Sequence, residues 1–513
     1  MSKHASDLHI VAFPFQAWGH TRPLVNLATR LVGLKPCTVT LLVTDNYLEQ
    51  AQAEVGRDSA SDEREYERHI RVASLGKADL QDSDHLNRSF EHAWRALVSA
   101  EELICQKTNT RYVAAPRPRA IIIDLFGVQA FDVIKAQSGD NVKIYVFNAG
   151  LTAALFHLFG PESYGGLDDV RKKAEEEACR TGESMSDIIL RTMATPKGEI
   201  VRVPGMPPMY DHEYAPQPNG VPPQVIVGMF SRVHGLLEGC DGVLLYTTES
   251  YEPVAVKAMC DWFSEASRGV YVCGPLVPNG RQTAGNQTSP TADSAVATET
   301  FLNKTLESSG KRSLLYISFG SMPRNAKVDK LWTFLEVVMD LNIPFIMSHS
   351  SDDMPPDVQE RITSYTKGLI LFWTSQQTIL QHPATGWFLT HGGHNSVLES
   401  TIAGVPMIFW PFGADQPLCA VHVTDNLQAG YELIECREGA EGMKPIYRSG
   451  KAAQGTAQAF KAEALDILRK AFGNLKDGEQ KRGNLHRFTE TMKREWDDGG
   501  SSRRDVLGFL EDL

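Results

Sequence analysis

Two places in the chain hold residues of the types and spacing that chemistry requires. Residues 386–404 read G-W-F-L-T-H-G-G-H-N-S-V-L-E-S-T-I-A-G: an apolar strand over Gly386–Thr390, a turn at His391-Gly392-Gly393, and a helix over Asn395–Ala403 stopped by Gly404. A glycine turn at a helix N-terminus lets backbone N–H groups approach a phosphate, and the helix dipole favours its charge. His391 can add a further hydrogen bond. Glu399 follows Asn395 and Ser396 by four and three residues and so shares their face, one turn deeper. A carboxylate there suits a ribose diol better than a phosphate. Taken alone, His391-Gly392-Gly393 also fits a strand–helix turn that binds nothing.

The second place is a histidine and an aspartate far apart in sequence. His20 ends the loop Pro14–His20 after the apolar run Leu8–Phe13, and Asp124 directly follows the run Ala120–Ile123. Singly, each has a plain reading, as a structural or exposed histidine and as an N-cap or salt-bridge partner. Together, at strand C-termini of one sheet, they form a general base. A neutral imidazole takes a proton from a hydroxyl, while the carboxylate fixes the tautomer and stabilises the imidazolium.

Alternating strands and helices must position these groups. Leu8–Phe13, Thr38–Val43, Ala120–Ile123, Ile144–Phe147 and Gly242–Tyr246 read as strands, and Pro23–Val32 as a helix with Leu24, Leu27, Ala28 and Leu31 on one face. Continuous apolar runs of this length suit a parallel sheet covered on both faces. Asp58–Arg68 is charge-dense and reads as a solvated loop or helix. Asn279–Thr298, small, polar and aperiodic, reads as an interdomain linker. A second series of strands follows at Ser313–Ser318, Pro344–Ser348, Leu369–Phe372, Gly386–Thr390 and Val405–Trp410. Helices are expected at Lys330–Leu341, Thr456–Phe472 and Asn484–Trp496. The expected fold is α/β, with two Rossmann-like domains facing each other across a cleft. Their bounds are 1–275 and 301–513, with a linker over 276–300 and the last helices able to pack back on the first domain.

Composition narrows the partners. The chain of 513 residues has room for two large α/β domains or three ordinary ones. Hydrophobic residues at 42% and charged residues at 22% describe a soluble globular protein. Lys+Arg at 51 against Asp+Glu at 63 gives −12, which argues against nucleic-acid and anionic-membrane partners. The eight cysteines stand in no C-x-x-C pair, so no zinc ribbon or thioredoxin-like motif is available, and such isolated thiols suit a reducing compartment. No apolar stretch is long enough for a secretory core or a membrane span. The expectation is a cytoplasmic protein, with the Asn-x-Ser/Thr triplets at Asn87, Asn286 and Asn303 unused.

The segment Trp373–Gln416 is more specific than any of this. Trp373, Gln376, His382, Gly386, Phe388, Thr390, His391, Gly393, Asn395, Ser396, Glu399, Gly404, Val405, Pro406, Trp410, Pro411, Asp415 and Gln416 stand within 44 residues. This resembles the plant secondary product glycosyltransferase signature, the nucleotide-sugar box of family 1 UDP-glycosyltransferases, without insertion or deletion. Pro14–His20 resembles that family's Pro-x-x-x-Gln-Gly-His loop with Trp18 in place of Gln, and Ser318-Phe319-Gly320-Ser321 resembles its Ser-Phe-Gly-Ser turn. Within the box three positions depart from the family pattern. Ser375 replaces the Pro of Trp-x-Pro-Gln, Gly392 replaces Cys, and His394 replaces the Trp that offers a backbone contact near the sugar. These departures look like a non-plant branch, such as a fungal one.

The resemblance implies the GT-B architecture and an inverting transfer. Trp373 would stack on uracil with Gln376 bonding nearby. His391, Asn395 and Ser396 would hold the diphosphate, Gly320 and Ser321 would approach phosphate or base, and Glu399 would hold the ribose hydroxyls. His394, Asp415 and Gln416 would meet the sugar. His20 and Asp124 match the catalytic dyad, and Phe15, Trp18, Leu125 and Phe126 read as lining of an apolar acceptor pocket, with Phe156 as core. The implied partners are a UDP-sugar donor, glucose first and xylose second, and a lipophilic hydroxyl acceptor such as a terpenoid or phenol. No metal or other cofactor is expected. A UDP-sugar epimerase or hydrolase of the same architecture is the alternative, as is a non-catalytic nucleotide-sugar-binding protein.

Overall fold

The computed structural model describes residues 8–55, 57, 69–77, 83–218, 221–277, 292–320, 328–349, 354–473 and 476–513. The first sheet is built from β1 (His9–Phe13), β2 (Thr38–Val43), β3 (Ile70–Ser74), β4 (Ala120–Asp124), β5 (Lys143–Asn148), β6 (Gly242–Leu245) and β7 (Gly269–Val272). All pairs are parallel, in the order β7-β6-β5-β4-β1-β2-β3. Every residue of β1 and β4 is buried, as expected of strands covered by helices on both faces.

The second sheet comprises β8 (Leu314–Ser318), β9 (Phe345–Ser348), β10 (Gly368–Leu371), β11 (Thr385–Thr390), β12 (Met407–Phe409) and β13 (Gly430–Glu432). It too is parallel, in the order β10-β9-β8-β11-β12-β13. Each sheet thus runs 3-2-1-4-5-6 from its own first strand, the doubly wound Rossmann order, and the first adds a seventh strand. In such a sheet ligands bind where the order reverses, outside the strand C-termini. The reversals fall between β1 and β4, which pair Phe13 with Ile123, and between β8 and β11, which pair Ser318 with Thr390. His20 and Asp124 follow the first reversal. Gly320 and His391 follow the second.

Contacts divide the chain into two units. One holds Met1–Thr195, Val221–Gln282 and Arg494–Leu513, the other Pro196–Gly220 and Thr283–Lys493. The tail joins the first unit through Trp496 Nε1, which donates to the Pro275 carbonyl at 2.8 Å, and through Phe509, whose ring meets Tyr145 at 4.8 Å.

Local structure departs from the sequence expectation at several points. The stretch expected as a loop to His20 is already helical from Trp18, in a helix running to Leu34. Pro23 marks a helix start by local rules, yet it lies inside this one. Burial of Thr21, Leu24, Val25 and Leu27 on the sheet outweighs the single N–H that proline lacks. The expected linker ends early, because Ala292–Ser309 is a helix. Its residues 279–291, and the charged stretch Asp58–Arg68, lie outside the described residues. The last expected helix, Asn484–Trp496, instead runs Lys476–Met492, and a further helix, Ser501–Glu511, follows Gly499, whose φ of +89° no other residue adopts readily.

Candidate functional site

His20 stands in the first turn of the helix Trp18–Leu34. Its Nδ1 lies 2.8 Å from Asp124 Oδ2. Asp124 is fully buried, while the His20 side chain keeps 27% of its surface exposed. The other carboxylate oxygen, Oδ1, accepts the Phe126 N–H at 3.0 Å. Both oxygens of Asp124 thus accept from N–H donors. With Nδ1 facing the carboxylate, Nε2 is the ring nitrogen able to take a proton. The helix itself is anchored: Arg22 Nε donates to Glu54 Oε1 at 2.8 Å, and Asn26 Nδ2 to the Leu276 carbonyl at 3.0 Å. Burial pushes the Glu54 carboxyl up, but the guanidinium groups of Arg22 and Arg57 more than offset this and hold it below the usual range.

Aromatic rings surround the imidazole. Phe15 and Phe126 stand 5.4 and 5.9 Å from it, and Phe126 meets Phe159 at 6.3 Å and Phe230 at 5.2 Å. Phe15 and Phe126 are half-buried, as a pocket wall would be. Trp18 is half-buried too and stacks on Tyr47 at 6.2 Å. Leu125 is 5% exposed and gives its N–H to the Phe147 carbonyl, which ties it to the core beside β5. Phe156 is fully buried.

At the second reversal the turn after β11 is tightly constrained. Gly392 has φ +87° and gives its N–H to Thr390 Oγ1 at 3.2 Å. The His391 ring lies against two glycines: a Cβ on Gly393 would stand 2.5 Å from Nε2, and one on Gly320 2.8 Å away. Only glycine lets the ring approach both backbones. Gly393 caps the helix His394–Ala403, and Gly404, with φ +71°, ends it. The first turn of that helix, at His394, Asn395 and Ser396, precedes the intrahelical i→i−4 ladder, and an N-terminus of this kind favours a negatively charged ligand group. Asn395 is half-buried and Ser396 buried. His394 is 2% exposed, so its ring is packed inward. Ser321 lies outside the described residues.

Glu399 projects from the same helix and is 6% exposed. Its Oε2 accepts from Gln376 Nε2 at 2.7 Å and its Oε1 from Gln377 Nε2 at 3.3 Å, while Gln376 also reaches Ser396 Oγ at 3.1 Å. The preceding loop is pinned from below. Tyr316 on β8 bonds Thr374 through its hydroxyl at 2.9 Å, and burial pushes that phenol up to about 12. Thr374, next to the Ser375 that departs from the family pattern, is therefore the anchor of the loop. On top of it Trp373 keeps 37% of its surface exposed and Phe372 66%. Exposed adjacent aromatics are costly in water and suit a flat ligand.

The loop after β12 carries the remaining candidates. Asp415 is half-buried and precedes the helix Gln416–Val421, which its carboxylate does not cap. Ala414 has φ +56°, a conformation that costs a non-glycine residue about 1–2 kcal/mol and persists only where its surroundings enforce it. Gln416 is 3% exposed, and its Oε1 accepts the N–H groups of Phe412 at 2.9 Å and Gly413 at 3.4 Å. Its oxygen is committed to the loop, and the NH₂ group is what it can offer.

Residues 253–437 match the family described as UDP-glucoronosyl and UDP-glucosyl transferase. Over 98% of both chains the sequence is 28% identical to UDP-glycosyltransferase eriJ of Hericium erinaceus. The chain is thus similar to UDP-glycosyltransferases over almost its whole length. It is likewise 27% identical to UDP-glycosyltransferase 72B1 of Arabidopsis thaliana, over 90% of this chain and 92% of that one. Two solved structures share its fold: Phytolacca americana UGT2 complexed with UDP-2fluoro-glucose and pterostilbene, and Medicago truncatula UGT71G1 complexed with UDP-glucose. The first has a TM-score of 0.67 at 21% identity and covers 100% of both chains. The second has a TM-score of 0.67 at 19% identity and covers 100% of this chain and 99% of that one. The fold class is α/β, GT-B.

Three contacts of this glycosyltransferase escape sequence reasoning. Phe159 and Phe230 enter the aromatic group beside His20 from more than a hundred residues away, with no spacing to announce them. Gln377 shares Glu399 with Gln376, which the adjacent glutamines of the box could have signalled. Among the described residues no helix is long and apolar enough to cross a membrane, and no group of three or more His, Cys, Asp and Glu is placed to hold a metal ion.

Proposed function

We propose that this UDP-glycosyltransferase moves glucose, or secondarily xylose, from its UDP-sugar to a hydroxyl of a lipophilic small molecule, with inversion at the anomeric carbon. The observation that carries this reading is the His20–Asp124 hydrogen bond at a strand switch point, with Phe15 and Phe126 beside the imidazole and Phe159 and Phe230 packed against Phe126. His20 Nε2 takes the acceptor's hydroxyl proton as that oxygen attacks the anomeric carbon from the face opposite UDP. The bond from that carbon to the diphosphate oxygen breaks, and its electron pair leaves on UDP. Asp124 stabilises the imidazolium, and the amides at the start of the helix His394–Ala403, with Ser396 and His391, stabilise the departing charge. The solved neighbour that holds a UDP-sugar analogue together with pterostilbene supports an apolar hydroxyl acceptor. The eight cysteines form no disulfide, which supports action in a reducing compartment such as the cytoplasm.

Incubation with UDP-glucose, with and without a panel of terpenoid and phenolic acceptors, tests the reading by mass spectrometry. The expected product is an acceptor heavier by one hexose. Free glucose or a changed UDP-sugar without acceptor would instead identify a hydrolase or epimerase.

The nucleotide half of the proposal has its own test. Glu399→Ala removes the acceptor for both Gln376 and Gln377 as well as the proposed ribose contact. A contact present in ground and transition states alike is uniform binding, so the KM for UDP-sugar should rise with little change in kcat. UDP affinity measured by calorimetry should fall roughly tenfold to a hundredfold. An unchanged affinity removes Glu399 from the ribose.

Donor choice rests on Asp415 and Gln416. A carboxylate and an amide NH₂ side by side can read neighbouring equatorial hydroxyls, whereas an axial 4-hydroxyl points away from their plane. With equimolar UDP-glucose, UDP-xylose and UDP-galactose, glucosyl product should exceed galactosyl by roughly tenfold to a hundredfold, the worth of one designed hydrogen bond. Xylose keeps the 2-, 3- and 4-hydroxyls and should rank between them. Predominant galactosyl product would sink the assignment of Gln416.

A further inference from the structure

The segment Pro196–Gly220 precedes the second sheet by about a hundred residues yet packs within the second unit. Several bonds strap it there. His212 Nε2 is 2.9 Å from the Pro445 carbonyl, Glu213 Oε1 accepts the Tyr447 N–H at 2.8 Å, and Asn426 Nδ2 donates to the Gly205 carbonyl at 2.7 Å. The Glu438 N–H donates to the Pro216 carbonyl at 2.8 Å. That carbonyl lies so close to Gly442 that a Cβ there would stand 2.2 Å from it. The strap is thereby fixed at the residue before Gln217.

Gln217 is 6% exposed, and its Nε2 donates to the Pro411 carbonyl at 2.9 Å. Pro411 has no N–H, so this carbonyl is its only backbone hydrogen-bonding group. From the other side of the same loop, Gln416 Oε1 accepts the N–H groups of Phe412 and Gly413. Two glutamines from distant parts of the chain thus hold three consecutive residues, next to the left-handed Ala414 and the exposed edge of Asp415. Removal of the Gln217 donor leaves a buried carbonyl unpaired, and the loop must shift to find another partner.

We propose that Gln217 is a positioning residue that sets donor-sugar selectivity by fixing the Pro411 carbonyl and hence the placement of Asp415 and Gln416. The inference rests on the reading above that this loop meets the sugar. It gives the strap a role in donor choice although it lies far outside the nucleotide-sugar box.

The test is the glucosyl-to-galactosyl product ratio in one competition mixture, which is read only from folded enzyme and so is insensitive to lost stability. Gln217→Met keeps the length and removes the donor; its ratio should move toward unity by about three- to tenfold, while UDP affinity holds. Gln217→Glu provides the second arm. A protonated carboxyl can donate to Pro411 and an ionised one cannot, so its ratio should approach that of the parent as pH falls, measured beside the parent at each pH. Gln416→Ala serves as the reference. If Gln416→Ala shifts the ratio and neither Gln217 variant does, the role of Gln217 is overturned while the sugar loop stands. If Gln416→Ala leaves the ratio unchanged, the sugar-loop reading fails and takes the inference with it. A loss of UDP affinity matching the ratio change would make Gln217 a general support of the unit, and would overturn the proposal.

Discussion

Replacing His20 by alanine is expected to lower turnover on aliphatic alcohols by roughly two to four orders of magnitude, the usual worth of general base catalysis. An alcohol is almost wholly protonated near neutrality, so its attack depends on a base that removes the proton in the transition state. His20 Nδ1 is committed to Asp124, which leaves Nε2 for that task. Acidic phenols, partly ionised before they bind, should lose much less. UDP affinity should be unchanged, because the residues proposed to hold the nucleotide all belong to the other unit. The contrast between acceptor classes separates loss of a base from loss of structure. Equal rates of parent and variant on an alcohol would remove His20 from the mechanism.

Asp124→Asn should cost about as much on the same acceptors, for a reason the geometry makes specific. Asp124 accepts twice, from His20 Nδ1 at 2.8 Å and from the Phe126 N–H at 3.0 Å. Asparagine has one acceptor oxygen and one NH₂ group. If the oxygen serves Phe126, the NH₂ faces His20 Nδ1 and draws the ring into the tautomer with its proton on Nε2, which cannot act as a base. If the oxygen serves His20, the NH₂ meets the Phe126 N–H and a buried donor is left unpaired. Either way the charge that stabilises the imidazolium is gone, and kcat should fall by roughly two to four orders of magnitude with KM for the UDP-sugar nearly constant. Residues acting as one unit do not add. The double variant His20→Ala/Asp124→Asn should therefore be no slower than His20→Ala alone. A fully additive loss would mean that Asp124 acts through something other than this imidazole.

The elements that carry both candidate sites are legible in the chain because their signals are local. β4 reads as a strand from four successive apolar residues, and Asp124 follows as the first polar one. The helix His394–Ala403 is bracketed by Gly393, against which the His391 ring lies, and by Gly404, whose left-handed φ ends it. The start of the helix Trp18–Leu34 is not legible, because proline and glycine near it oppose a helix that burial against the sheet enforces.

Sequence alone determined which side chains are present, their spacing, and the alternation of strand and helix that yields two Rossmann-like sheets. Those features depend on neighbours along the chain and on the dihedral preferences of single residues. Tertiary structure decided which distant groups meet. It brought Asp124 onto His20, packed Phe159 and Phe230 against Phe126, turned the Gln416 oxygen into its own loop, and drew Gln217 onto Pro411. It also placed residues 196–220 in the second unit and 494–513 in the first. A hydrogen bond or ring contact forms between whatever groups the packing leaves within about 3 to 6 Å, and separation along the chain carries no record of that distance.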